Sequence, residues 1–223
     1  MFIGHFGVAL AAKRFAPRTS LGTLVLAAQF VDLIWPLFLL AGIERVVIAP
    51  GATAVTPLEF LSYPFSHSLL ADVGWAFLFA GVYVVVKHDT RGAICLGCVV
   101  LSHWVLDALS HQPDLPLYPG SSTYVGLGLW NSRFWTVVVE GALFAGGVRL
   151  YARTTRARDL VGSFSFLAFV FALLFLYIVN LLGPPPPSET IVAWAALSLW
   201  VFVLWAYGLD RHRDRLIRSS SEP

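Results

Sequence analysis

His5, Asp32, His67, His103, Asp107 and His111 are imidazoles and carboxylates set in or beside apolar segments. An ionisable side chain inside a bilayer is costly, and it persists where it pairs, binds an ion or lines a wet cavity. His103, Asp107 and His111 recur at intervals of four, which puts them within about 80° of one helix face. His103 and Asp107 can therefore grip one cation together, as i, i+4 ligands do in helical zinc sites. Gln112 precedes Pro113, a position biased away from helix, so His111 falls in the last turn. His67 stands between Ser66 and Ser68 at the head of another apolar run, with Pro64 just before it. Asp72 is about 140° around that helix from His67 and is expected to back or line the site rather than share a ligand position.

Each residue alone also has a structural reading. Asp32 or Asp107 can pair with a buried histidine simply to avoid an isolated buried charge. His88 and His212 read as ordinary interface residues. Cys95 and Cys98 lie one turn apart in an apolar run, and a structural zinc site needs four ligands, so they read as small buried hydrophobes. The set of six carries more weight than its members, because a His-x-x-x-Asp face, a mid-membrane Asp and an N-terminal His at matching depth coincide.

The elements that position these residues follow from composition. With 57% hydrophobic and 13% charged residues and a mean hydropathy of +0.74, too few polar residues remain to cover a soluble core. The chain reads as a single all-α, polytopic membrane domain over 1–223. Spanning a bilayer takes about 20 apolar residues, and 21–43, 67–86, 92–109, 160–182 and 190–208 approach or exceed that length. A sixth run, 134–150, is at the short limit. Pro184 to Pro187 cannot continue a helix and separate the last two runs. Six spans are expected, with the polar set confined to 1–132, accessory helices over 133–208 and a basic tail over 209–223.

All of the 15 basic residues except Arg45 and Arg133 fall on one side of this six-span arrangement. The positive-inside rule then makes both termini cytoplasmic, with 44–66 and 110–132 facing outward, as suits a prokaryotic inner membrane. Met1 to Ala12 is apolar but too short to cross, and no basic lead precedes it, so it is expected to stay in the protein as a half-helix. The rise of a helix puts His5 about 12 Å into the membrane above Lys13, Asp32 about 16 Å above Leu21 and His103 about 18 Å above Arg91. These depths let the groups meet near mid-membrane, in a site opening outward. Tyr118, Tyr124, Trp130 and Trp135 read as an aromatic belt at headgroup level, and the tail from Arg211 to Arg218 suits contact with anionic lipid.

The order His5, Asp32, His67-Ser68, His103-x-x-x-Asp107, followed by His111-Gln-Pro-Asp114-Leu-Pro-Leu-Tyr, resembles the predicted membrane-bound metal-dependent hydrolases of the YdjM type. It is also similar, more distantly, to the zinc-dependent phospholipase C and nuclease superfamily, whose soluble members are all-helical. The resemblance covers roughly the first 120 residues. It implies that Asp32, His67, His103 and Asp107 hold one metal, and that His5 with a shared Asp107 holds a second. The soluble enzymes carry a further His-x-x-x-Glu pair; Glu140 and Glu189 have no histidine at that spacing, and His111 is a partial substitute. One or two divalent ions are expected, zinc first and manganese or iron as alternatives. Asp32 or Asp107 would then orient a hydrolytic water, and the substrate would be an ester, preferably a phosphoester, of a lipid or amphiphile. A proton or ion pathway, or a purely structural metal, is the competing expectation. Nothing points to a nucleic acid partner.

Overall fold

Serine and aspartate begin most of the helices. Ser20, Ser68, Asp89, Ser132, Asp159 and Ser188 each sit at an N-cap, where the side chain accepts a hydrogen bond from the backbone N–H three residues on. That bond satisfies one of the donors every helix start leaves free. In the computed structural model, which describes residues 1–216, the chain is mostly helical: α1 Ile3–Ala12, α2 Leu21–Ala28, α3 Phe30–Leu40, α4 Leu69–Lys87, α5 Thr90–Ser110, α6 Arg133–Thr154, α7 Leu160–Leu182, α8 Glu189–Leu197 and α9 Leu199–Arg211. Part of the basic tail, including Arg218, lies outside the described residues.

Among the described residues, α4, α5, α7 and the joined α8–α9 segment are long and apolar enough to cross a membrane, and the α2–α3 pair makes a fifth if it is one span. Their outward faces are apolar as well. On α7, Phe166, Phe169, Leu173 and Tyr177 turn inward at helical spacing, while Leu160, Phe164, Phe171 and Phe175 are exposed. Water would not tolerate such a stripe, but lipid chains do. The protein is a membrane protein.

Four sequence expectations are refined. The run 21–43 is not one straight helix; α2 and α3 meet at Gln29 with a bend of 53°. His67 does not start α4, because Ser68 is its cap and leaves His67 in the preceding turn. Run 134–150 extends to the 22-residue α6, whose Glu140, Arg149 and Arg153 hold it below the apolar character of the others. Cys95 is half-buried and Cys98 exposed, so neither is a core residue. Beyond the helices there are three short antiparallel ribbons: β1 Arg45–Ile48 with β2 Leu58–Ser62, β3 Leu115–Pro116 with β4 Tyr124–Val125, and β5 Thr155–Ala157 with β6 Arg213–Arg215. His88 adopts the left-handed conformation at the end of α4, making the tight link by which α4 folds back against α5.

The short α1 is the hub. Ile3, Phe6, Ala9 and Leu10 are buried in the main apolar core, and the helix packs against α6, α2 and α5. Phe6 meets Phe169 and Phe202 edge-on, tying it to α7 and α9 as well. The α1–α6 crossing is close enough for backbone contact: a Cβ on Gly147 would stand 2.1 Å from the Gly7 carbonyl oxygen, and one on Gly7 would stand 2.6 Å from that of Leu143. Small residues permit such an approach within membranes. Gly147→Ala is accordingly expected to cost about 1–3 kcal/mol by forcing the helices apart. Gly146→Ala, which meets nothing within 4 Å, should be neutral or stabilising by helix propensity. Melting of the detergent-solubilised variants checks this, and equal midpoints would refute the close crossing.

Candidate metal centre

Four chain segments converge around His103 and Asp107. His103 and Asp107 occupy the buried face of α5, His5 lies on α1, Asp32 is in the first turn of α3, and His67 is in the turn ahead of α4. Asp107 Oδ1 is 3.1 Å from His5 Nε2 and also contacts the Met1 amine. Asp107 Oδ2 is 3.2 Å from His103 Nε2 and 3.8 Å from His67 Nε2. Asp32 Oδ1 lies 3.4 Å from His67 Nε2 and 3.7 Å from His103 Nε2. The His5 and His103 rings stack at 3.8 Å, inclined by only 2°. Two triads result, His5–His103–Asp107 and Asp32–His67–His103, each with donor atoms within 4.8 Å of one another. His5, His67, His103 and Asp107 are buried, whereas the Asp32 side chain is 25% exposed and so marks the way in.

The remaining ring nitrogens decide how these imidazoles are presented. His103 Nδ1 is 2.8 Å from the Ala28 carbonyl oxygen, which can only accept, so Nδ1 carries the proton. That carbonyl is free because the helical ladder is interrupted at Gln29. The other nitrogen, Nε2, has no hydrogen-bond partner among the described residues. Ser66 Oγ donates to Glu44 Oε2 at 2.6 Å and thereby accepts from His67 Nδ1 at 2.7 Å. Glu44 is buried and also takes the backbone N–H groups of Phe65 and Ser66, both at 2.8 Å. Both imidazoles thus turn a bare Nε2 toward carboxylate oxygens. Lone pairs opposed to lone pairs in a desolvated pocket call for a positive centre between them, and metal-binding histidines are typically anchored in this way through the other nitrogen. The residues fit a divalent cation.

His111 is placed elsewhere. It caps the end of α5 with an extended backbone, and its Nδ1 is 3.0 Å from Asp114 Oδ1. Its ring lies among Phe60, Tyr63 and Trp130, outside both triads. Tyr63 donates to Asp114 at 2.7 Å; burial and the adjacent Asp114 charge push its phenol far above the usual range, so it remains a donor. Asp72 is fully buried, with both oxygens unpartnered among the described residues, and belongs to neither triad.

Three supporting residues escape a reading by spacing. Glu44 and Ser66 orient His67, and the adjacency of Ser66 to His67 is their only sequence signal. Glu140, buried on α6, accepts from the Phe2 and Gly4 N–H groups at 2.9 and 3.2 Å. It caps α1, whose own N-cap residue, Phe2, offers no side-chain acceptor. Its negative charge also complements the positive end of the helix dipole.

No family model matches this chain, and no curated protein or solved structure is significantly similar to it.

Glu140→Ala would leave these N–H groups unsatisfied in apolar surroundings, at a cost of about 1–3 kcal/mol. Hydrogen exchange in detergent should then accelerate over residues 3–12 before it does in α7. Unchanged protection there would remove Glu140 from this role.

Proposed function

We propose that this protein is a membrane-embedded, metal-dependent hydrolase. The observation that carries the reading is the pair of adjoining triads that share His103, with His67 and His103 fixed so that a bare Nε2 faces the carboxylates. Asp32, His67, His103 and Asp107 Oδ2 would hold one cation, and His5 with Asp107 Oδ1 would hold a second, zinc being the first choice. When bound, such a cation supplies Lewis acidity that polarises an ester oxygen and acidifies water.

The chain's own residues supply the rest. Asp32, at the exposed edge, orients an incoming water and takes its proton, while Asp107 fixes the relative positions of His5 and His103. The surrounding apolar wall excludes bulk water and strengthens these charges. A phosphoester of a lipid or amphiphile is the preferred substrate, because the His, Asp, His, His-x-x-x-Asp order is similar to that of the zinc-dependent phospholipase C and nuclease superfamily and of the YdjM-type hydrolases. The topology proposed with it counts α6 and the bent α2–α3 pair as spans, with both termini cytoplasmic in a prokaryotic inner membrane and the site open to the opposite side.

Elemental analysis of the detergent-purified protein, after dialysis without chelator, is expected to find about one or two equivalents of zinc, manganese or iron. His103→Ala and Asp107→Asn should each abolish binding, and Asp72→Asn should retain it. Ser66→Ala, which breaks the link from Glu44 to His67, should weaken zinc affinity by about 10–100-fold. Hydrolysis of bis(p-nitrophenyl) phosphate in micelles should be lost on chelation and restored by zinc. Well-folded protein that binds no metal even after resupply would overturn the reading in favour of a proton or ion pathway.

A further inference from the structure

A second polar feature lies about two turns along α1 from His5. Residues from the α1–α2 link, the α6–α7 link, the end of α9 and β6 line an open cavity of about 410 Å³, within the size range of small-molecule sites. Six of its lining residues are cationic and only Asp210 and Asp214 are acidic. The fold holds this excess of like charge together by specific bonds. Lys13 is buried, with Nζ donating to the Thr19 carbonyl at 2.8 Å and to Asp210 Oδ1 at 2.9 Å. The β5–β6 ribbon contributes residues 213–215 to the lining of the cavity, with Arg156 opposite Asp214. Arg213 donates to Thr155 Oγ1 and to the Gly162 carbonyl, and its guanidinium lies 4.7 Å from the Phe166 ring centre and 5.3 Å from that of Tyr151. These groups form a fixed wall. Arg18, Arg211 and Arg215 are exposed at the cavity and pair with no carboxylate among the described residues.

We propose that this basic cavity binds a phosphate anion, carried on a membrane lipid headgroup or free in solution. Concentrated arginine charge on a rigid frame is destabilising by itself and is relieved by a bound anion, and the planar guanidinium fork matches phosphate oxygens two at a time. The location suits a headgroup, since the ends of α1, α7 and α9 meet there at the edge of the apolar belt. The inference stands apart from the metal centre, as it uses none of the same side chains.

Isothermal titration of the full chain in a neutral detergent tests it with three probes: inorganic phosphate, dioctanoyl phosphatidic acid and dioctanoyl phosphatidylcholine. Phosphatidic acid is expected to bind at least about tenfold tighter than the choline lipid. Arg18→Gln/Arg211→Gln/Arg215→Gln should weaken it on the order of 100-fold, at roughly fivefold per charge. Lys87→Gln/Arg149→Gln/Arg153→Gln, exposed charges outside the cavity, should leave it unchanged. If the triple cavity variant melts early, Arg18→Gln alone should still weaken binding about fivefold. Binding of phosphate as well as of phosphatidic acid identifies a site for free phosphate; binding of phosphatidic acid alone identifies a headgroup site. No binding of either anion, or equal loss in the two triple variants, overturns the proposal.

Discussion

The Asp107 carboxylate, 2% exposed within an apolar bundle, is the constraint around which this structure is arranged. A carboxylate that far from water costs several kcal/mol unless hydrogen bonds and opposite charge replace its hydration. No single neighbouring helix can supply that replacement. Oδ1 is met by His5 and the Met1 amine from α1, and Oδ2 by His103 and His67 from α5 and the turn before α4. A ten-residue helix too short to cross a membrane is therefore buried among its neighbours, packed against α6, α2 and α5. The Gly7 and Gly147 contact sets how closely α6 can approach, and Glu140 then caps the helix that carries His5.

The same demand accounts for the departures from regular helix. An uninterrupted helix over 21–43 would commit the Ala28 carbonyl to the N–H of Asp32. The break at Gln29 leaves that carbonyl to His103 and turns Asp32 toward His67. Likewise, a helix begun at His67 would carry its side chain on a regular helical face. Capping by Ser68 holds His67 in a turn, where Ser66 and Glu44 can fix its orientation. Irregular backbone at membrane depth is tolerated where protein buries it, and here each irregularity is followed by a residue of the His/Asp cluster.

Much of this is legible in the sequence, because hydropathy and the cost of buried charge act locally. The apolar runs at 92–109 and 160–182 lie within α5 and α7, the half-helix of residues 1–12 is α1, and the five groups His5, Asp32, His67, His103 and Asp107 do meet. What escapes is set by tertiary contact. Hydropathy averages over Gln29 and sees one span where there are two helices. Spacing by fours keeps His111 on the His103 face only if the helix continues, and the extended backbone at His111 swings it to Asp114 instead. Glu140 lacks a histidine partner at a recognisable spacing and acts through main-chain donors far away in the sequence. The serine and aspartate caps are a further local signal, and Ser68 in particular marks the start of α4 one residue beyond His67.

The two polar features of the molecule are separated by an apolar layer, and this bears on which activity the fold suits. Between His5 and Lys13, α1 presents Phe6, Ala9 and Leu10 to the core; between Arg91 and His103, α5 presents Leu96, Val99 and Val100. An ion moving from one feature to the other along these helices would lose its ligands across that layer, and a bare charge in such surroundings is prohibitively unfavourable. A site for hydrolysis needs no such continuity. It needs a desolvated pocket with one entrance, fixed ligands and a carboxylate at the edge to receive a proton, and Asp32 stands at that edge. The layer weighs toward the proposed one-sided chemistry over passage of an ion, and it keeps the proposed anion site at the basic end of the bundle independent of the His/Asp cluster.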